Sequence, residues 1–160
     1  MSMQPPSPPG LLVLEDGSVF AGEAVSPGTC FGEVVFNTSM TGYQEVLTDP
    51  SYRGQIVVMT QPHIGNYGTS EAVAESASPW VEGFVARRFT REPSGQYRHA
   101  GLLPYLREHR KPALHGLDTR ALVRRLREHA LWTRTIQLKL RYSDFSTITR
   151  AHTLDESISK

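Results

Sequence analysis

The chain has 160 residues, 39% of them hydrophobic, and a formal net charge of +1, which is typical of a single globular domain. No apolar run reaches the length of a membrane span and the start has no basic-then-apolar leader pattern, so we expect a cytoplasmic protein. The single cysteine, Cys30, excludes an internal disulfide framework and a cysteine-based metal cluster.

The chain is predicted to begin with a flexible Pro-rich lead over residues 1–10, followed by a β-hairpin. Leu11–Leu14 is a short apolar strand, and Glu15–Ser18 is a turn with a glycine where positive φ is favoured. The return strand starts at Val19. The first folded element is therefore an antiparallel pair.

Three further strands are predicted before the first helix. Gly32–Phe36 alternates between two faces, and a polar elbow separates it from Gln55–Thr60. Gln55–Thr60 is apolar on both faces, which is typical of a central strand that is covered on both sides. Trp80–Ala86 is the last of the three.

Two helices are predicted next. The first is Gly101–His109, and Pro112 prevents its continuation. The second begins after Asp118, a good N-cap residue, and has an apolar stripe opposite its arginines. Because the strands come first and the helices afterwards, without alternation, the order predicts an α+β fold, or a layered sheet with helices on one side.

Charge is divided unevenly along the chain. Residues 1–86 contain one basic and nine acidic residues, a net of −8, whereas residues 87–160 contain sixteen basic and seven acidic residues, a net of +9. This asymmetry indicates either a nucleic-acid surface in the basic half or a solvated helix face with complementary packing of the two halves. We favour the second interpretation, since Arg124, Arg125 and Arg127 are predicted to lie on the solvent-exposed side of the second helix.

Three motifs resemble the N-terminal domain of the small, glutamine-hydrolysing subunit of carbamoyl-phosphate synthase. They are FNTSMTGYQE at residues 36–45, LTDPSY at 47–52 and GLDTRALVRRLRE at 116–128. The resemblance covers about residues 12–129. It implies that the segment 11–130 forms a layered β/β/α unit of the swivelling-domain type.

This resemblance also implies what the chain does. The family makes carbamoyl phosphate from bicarbonate, ATP and glutamine nitrogen, as an ATP-dependent ligase whose glutamine-hydrolysing centre lies in a second, C-terminal domain. We therefore expect no complete active site, no cofactor and no metal here, and a non-catalytic interface that docks on the large subunit. Cys30 lacks the strand-to-helix turn of a nucleophile elbow and is interpreted as a structural thiol, and His63 as a loop residue.

One ligand contact is implied by the same resemblance. In the family, the serine of the DPSY turn lines the glutamine site, and the matching residue is Ser51. Its hydroxyl could equally cap the turn in which it lies. Both interpretations of Ser51 remain open from the sequence.

The segment after the second helix is similar to a different family. RTIQLKLRYSDFSTITR, within about residues 131–154, resembles the little-finger domain of Y-family DNA polymerase IV. Thr135–Tyr142 alternates in the manner of a strand, and Ser146–Arg150 can pair back on it as a hairpin. We expect this hairpin to supply the terminal strands of the preceding domain, with a polar tail at 155–160, and we interpret the protein as a chimera of natural or engineered origin.

The polymerase resemblance leaves several functions open. It implies that Lys139, Arg141 and Arg150 contact DNA phosphates, with salt-dependent affinity, although a charged wet face of a surface strand is the favoured alternative. An exposed strand edge predicts a homodimer through residues 135–150. The chain could also be a folded recombinant without biological activity.

Overall fold

The structure, a computed structural model, describes residues 8–26, 28–94, 100–128, 135–141 and 147–153. The chain divides into two compact units, Met1–Val123 and Arg124–Lys160. Each unit is described by itself below. Among the described residues, no helix has both the length and the apolar character needed to span a membrane.

Two short helices interrupt the strands of the first unit, and a third helix crosses its boundary with the second unit. In chain order, the elements are β1 Pro9–Val13, β2 Val19–Ser26, β3 Glu33–Asn37, α1 Tyr43–Thr48, β4 Gln55–Met59, β5 His63–Ile64, β6 Gly83–Val85, β7 Arg88–Phe89, α2 Leu102–Glu108, β8 Ala113–His115 and α3 Thr119–Glu128. Single-turn 3₁₀ helices lie at Pro50–Tyr52 and Glu71–Val73.

A six-stranded sheet organises the first unit, in the order β1-β2-β8-β6-β4-β3. The strands β3, β4, β6 and β8 run parallel to one another, and β2 pairs antiparallel with both β8 and β1. A second, two-stranded parallel sheet joins β5 to β7. The architecture is mixed α/β with a mostly parallel sheet and few helices, which is compatible with the predicted α+β class.

The predicted absence of strand–helix alternation is wrong. The chain passes through α1 between β3 and β4, and through α2 between β7 and β8. Parallel neighbours require such crossovers, because a tight turn can join only antiparallel strands. Both the six-residue α1 and the three-residue β8 are too short to show a periodic pattern, so the sequence did not reveal them.

Several predicted elements are confirmed. The hairpin turn has Gly17 at φ 82°, the left-handed region that a side chain disfavours. The carboxylate of Asp118 caps α3 by accepting from the backbone N–H groups of Arg120 and Ala121, at 3.0 Å each. The first strand, however, begins at Pro9 and not at Leu11.

The core of the first unit lies around β4 and β6. Val57, Val58 and Met59 on β4 and Phe84 on β6 have no exposed surface, so both faces of these strands are covered as predicted for β4. The helix α2 contributes the fully buried Leu102 and its neighbour one turn on, Leu106. All members of the main core cluster lie between Val25 and Ala113.

The described part of the second unit contains a hairpin, formed by β9 Thr135–Arg141 and β10 Thr147–Thr153. The two strands pair antiparallel over seven residues, in a two-stranded sheet of their own. The predicted strand and its return are thus confirmed as a pair. Completion of the first unit by this hairpin stays a prediction.

Candidate functional site

Ser51 lies in the 3₁₀ turn that follows α1. The buried carboxylate of Asp49 accepts hydrogen bonds from the Ser51 backbone N–H at 2.9 Å and from Ser51 Oγ at 2.7 Å. The Ser51 residue itself is exposed. The Ser51 hydroxyl therefore donates its proton to a hydrogen bond within the turn. Its oxygen can still accept a hydrogen bond from a ligand amine. The geometry is compatible with both interpretations drawn from the sequence.

Two stacked tyrosines brace α1 against the loop after β5. The rings of Tyr43 and Tyr67 lie 4.3 Å apart between centroids. The Tyr67 hydroxyl accepts from the Gly42 backbone N–H at 2.8 Å, and the Tyr43 hydroxyl donates to the Gly68 carbonyl. Burial raises the pKa of both tyrosines, so both stay neutral near pH 7. These side chains tie the start of α1 to the loop after β5.

Cys30 is half-buried beside the start of β6. A Cβ atom added to Gly83 would lie 2.9 Å from Cys30 Sγ, so the thiol fills the space that this glycine leaves. Burial raises the pKa of the Cys30 thiol, and the charge of Glu82 raises it further. Since a nucleophilic cysteine needs a lowered pKa, this environment favours the structural interpretation.

The small β5–β7 sheet lies where the parallel strands of the large sheet end. The strand β5 follows the carboxyl end of β4 after three residues, and β7 follows that of β6 after two. His63 and Arg88 occupy paired register positions, and both are exposed. Their neighbours Ile64 and Phe89 are paired likewise and buried. One face of this sheet is thus apolar and covered, and the other carries basic groups.

His115 ends β8 at the same edge. Its ring meets the Phe89 ring edge-on, with 5.7 Å between centroids, and its Nε2 lies 3.8 Å from a carboxylate oxygen of Glu23. Burial lowers the pKa of His115; Glu23 opposes this shift, while Arg91 and Arg88 add to it. The sequence did not predict that His115 lies near Arg88 and Phe89. The only hint in the sequence is that the arginines become frequent from residue 87 onward.

An apolar strip is exposed on the β1–β2 hairpin. Leu11, Val13 and Val19 are 65%, 59% and 57% exposed. Val13 and Val19 are direct cross-strand partners, and Leu11 is two positions along the same strand, so the three residues share one face. We call this group the hairpin strip. Contiguous exposed apolar groups of this kind are typical of interaction surfaces.

The three basic residues predicted for DNA contact are divided between the faces of the β9–β10 hairpin. The register pairs Lys139 with Thr149 and Arg150 with Leu138. Cross-strand partners share a face and successive residues alternate, so Lys139 and Arg141 lie on one face and Arg150 on the other.

Metal-ligating side chains are not clustered in the described part of the chain. No three His, Cys, Asp or Glu residues there are grouped closely enough to hold an ion. This finding covers His63, His109 and His115 but not His99, His129 or His152, which lie outside the described residues or their side-chain description.

Comparison with known families gives two overlapping matches. Residues 12–136 match the profile of the carbamoyl-phosphate synthase small chain, CPSase domain. Residues 118–160 match that of the impB/mucB/samB family C-terminal domain, which is the C-terminal domain of Y-family polymerases. Both profiles cover α3.

Several curated relatives of the first segment are named carbamoyl phosphate synthase small chain. Those from Thermosynechococcus vestitus, Caldanaerobacter subterraneus and Thermus thermophilus are 58%, 54% and 50% identical to this chain over 120, 121 and 127 residues. These alignments cover 74%, 75% and 79% of this chain but 31%, 34% and 32% of the relatives. The chain thus spans about a third of the length of these proteins.

Proposed function

The chain belongs to the carbamoyl-phosphate synthase small-chain family, and on that premise we propose that it is a non-catalytic interface module that docks on the large subunit of such a synthase. The observation that carries this proposal is the hairpin strip, an exposed apolar face on a strand pair at the edge of the sheet. Apolar groups of this kind gain free energy when a partner removes them from water.

The absence of catalysis is part of the proposal. It is supported by the raised pKa of the Cys30 thiol and by the hydrogen bond that the Ser51 hydroxyl donates to Asp49. Ser51 would line a glutamine site only beside an amidotransferase domain of the family type. Purified chain should therefore release no ammonia from glutamine, and turnover at enzyme-like rates would contradict the proposal.

Docking is tested by calorimetric titration with the large subunit of the Thermosynechococcus vestitus synthase. The double substitution Val13→Thr and Val19→Thr keeps side-chain shape and strand propensity while adding hydroxyl groups to the strip. We expect saturable binding by the natural chain and binding weaker by about tenfold in the variant, as for a central interface contact. Phe31→Ser, at an exposed apolar residue outside the strip, is the control.

Two outcomes count against the proposal. Failure of the correctly folded natural chain to bind would remove the docking role. Equal loss of affinity in the Phe31→Ser control and the strip variant would remove the hairpin strip as the surface responsible.

We further propose that the chain joins segments of two families, with α3 as the junction. Support comes from the overlap of the two family matches over residues 118–136, which includes the whole of α3. An amphipathic helix that serves both parents can be shared without changing its apolar stripe. The nucleotide sequence across codons 125–140 would reveal an engineered seam.

The proposal includes three further properties of the protein: its layering, its location and its oligomeric state. The first unit would have the β/β/α layering of a swivelling domain, the protein would act in the cytoplasm, and it would dimerise through residues 135–150. The dimer is supported by the edges of the two-stranded β9–β10 sheet, because such edges invite pairing between copies. Light scattering that gives a monomer would refute the dimer.

An alternative function is binding of the nucleic-acid backbone through the second unit. It is favoured by the match of residues 118–160 to a polymerase domain and by the shared face of Lys139 and Arg141. Fluorescence anisotropy with single- and double-stranded oligonucleotides would show binding that weakens steeply with salt. No binding at low salt, or binding unaffected by salt, would refute this alternative.

A further inference from the structure

Four residues with basic side chains lie at the carboxyl edge of the parallel strands in the first unit. His63 lies on β5, Arg88 on β7, Arg91 just beyond β7, and His115 at the end of β8. We call these four residues the basic edge cluster. They are brought together by the fold, since up to 52 positions separate them in the chain.

Hydrogen bonds fix the backbone that carries the cluster. Thr90 N–H donates to the Ile64 carbonyl at 2.8 Å, which extends the β5–β7 pair, and Gly116 N–H donates to the Arg87 carbonyl at 3.0 Å, which ties the end of β8 to the start of β7. The Phe89 ring packs against both Phe84 and His115. His115 thus packs on the covered side of the β5–β7 sheet, whereas His63 and Arg88 lie on its exposed face.

The charge of the cluster is only partly balanced. Glu23 lies within ion-pair distance of His115, at 3.8 Å. Among the described side chains, no carboxylate lies within 4.0 Å of the guanidinium groups of Arg88 or Arg91, both of which are exposed. These two exposed guanidinium groups create a positive potential that attracts anions.

We propose that the basic edge cluster binds a small anion that bears two or more phosphoryl charges. Guanidinium groups present paired N–H donors that match phosphoryl oxygens, and they stay charged at every physiological pH. In sheets of parallel strands, the carboxyl edge is where loops leave room for ligands. Arg88 and Arg91 would hold the phosphoryl oxygens, and an imidazole N–H of His63, the register partner of Arg88, would be a further donor.

The test is an NMR titration of the full chain with sodium pyrophosphate, with ionic strength held constant by sodium chloride. We expect saturable shifts at the imidazoles of His63 and His115 and at the amides of residues 87–91. Loss of one guanidinium group should weaken pyrophosphate binding by about fivefold in Arg88→Gln and in Arg91→Gln. Arg110→Gln, at an exposed arginine after α2, is the matched control and should bind as the natural chain does.

Several results of this titration would contradict the proposal. Shifts that grow linearly without saturation, or that sodium chloride alone reproduces, would overturn it. Equal weakening in Arg110→Gln and in the two cluster variants would also overturn it, because net charge would then explain the effect. Tighter binding of citrate than of pyrophosphate would overturn the assignment to phosphoryl groups. Near-ultraviolet circular dichroism confirms that each variant is folded.

Discussion

The two units of this chain differ in the structure that their described residues form. The first unit has a six-stranded sheet, buried aromatic stacks and a core cluster whose members all lie within that unit. The described strands of the second unit form one two-stranded sheet with a register of seven residue pairs. Side-chain packing therefore identifies the core of the first unit, whereas backbone pairing identifies the strands of the second.

The largest expected effect comes from the core of the first unit. Phe84 is fully buried and stacks on Phe89, with 5.9 Å between ring centroids. Phe84→Ala should lower the free energy of unfolding by about 3–5 kcal/mol, because it removes apolar contacts and leaves a cavity. Urea denaturation measures this change. Phe31→Ala, at a phenylalanine that is 87% exposed, is the comparison, and an equally large loss from it would contradict the position of Phe84 in the core.

The second effect concerns the close approach of β2 and β8. A Cβ atom on Gly22 would fall well inside contact distance of the His115 carbonyl oxygen, which is backbone and cannot rotate away. Gly22→Ala should therefore cost about 3 kcal/mol, as overpacking against a rigid neighbour does. In Gly17→Ala the new atom meets nothing within 4 Å, so only the left-handed backbone strain of about 1 kcal/mol applies. Thermal denaturation should show this order, and the reverse order would be inconsistent with the strand packing described.

The smallest effect is a pH dependence confined to the first unit. Burial holds the pKa of His115 below its unfolded value of about 6.5, so below that pH the unfolded chain binds a proton that the folded chain does not. Stability should therefore fall as the pH drops through 6.5 and towards the folded pKa. His115→Gln should reduce the loss measured by urea denaturation between about pH 7.5 and 5.5. An unchanged or larger loss in the variant would show that Glu23 outweighs burial.

Elements with a local sequence signal were predictable, and elements without one were not. The uninterrupted apolar run of β4 and the Asp118 cap of α3 each carry a local signal that tertiary structure did not override. The two-residue strands β5 and β7 carry no period at all, so their pairing became visible only in the fold.

The candidate sites followed the same rule. The turn that presents Ser51 was predicted because Asp49 and Pro50 define it locally. The basic edge cluster was missed because its residues come from three strand ends that are distant in sequence. The division of Lys139 and Arg150 between two faces likewise required the hairpin register, since a shift of one residue exchanges the faces.

Hydrogen exchange on the natural chain tests most directly whether the hairpin completes the first unit. If β9 and β10 supply the terminal strands of the first unit, as the sequence predicts, their amides and those of the buried strands β4 and β6 should exchange through the same global unfolding. Much faster exchange of the β9 and β10 amides, through local opening, would contradict this completion.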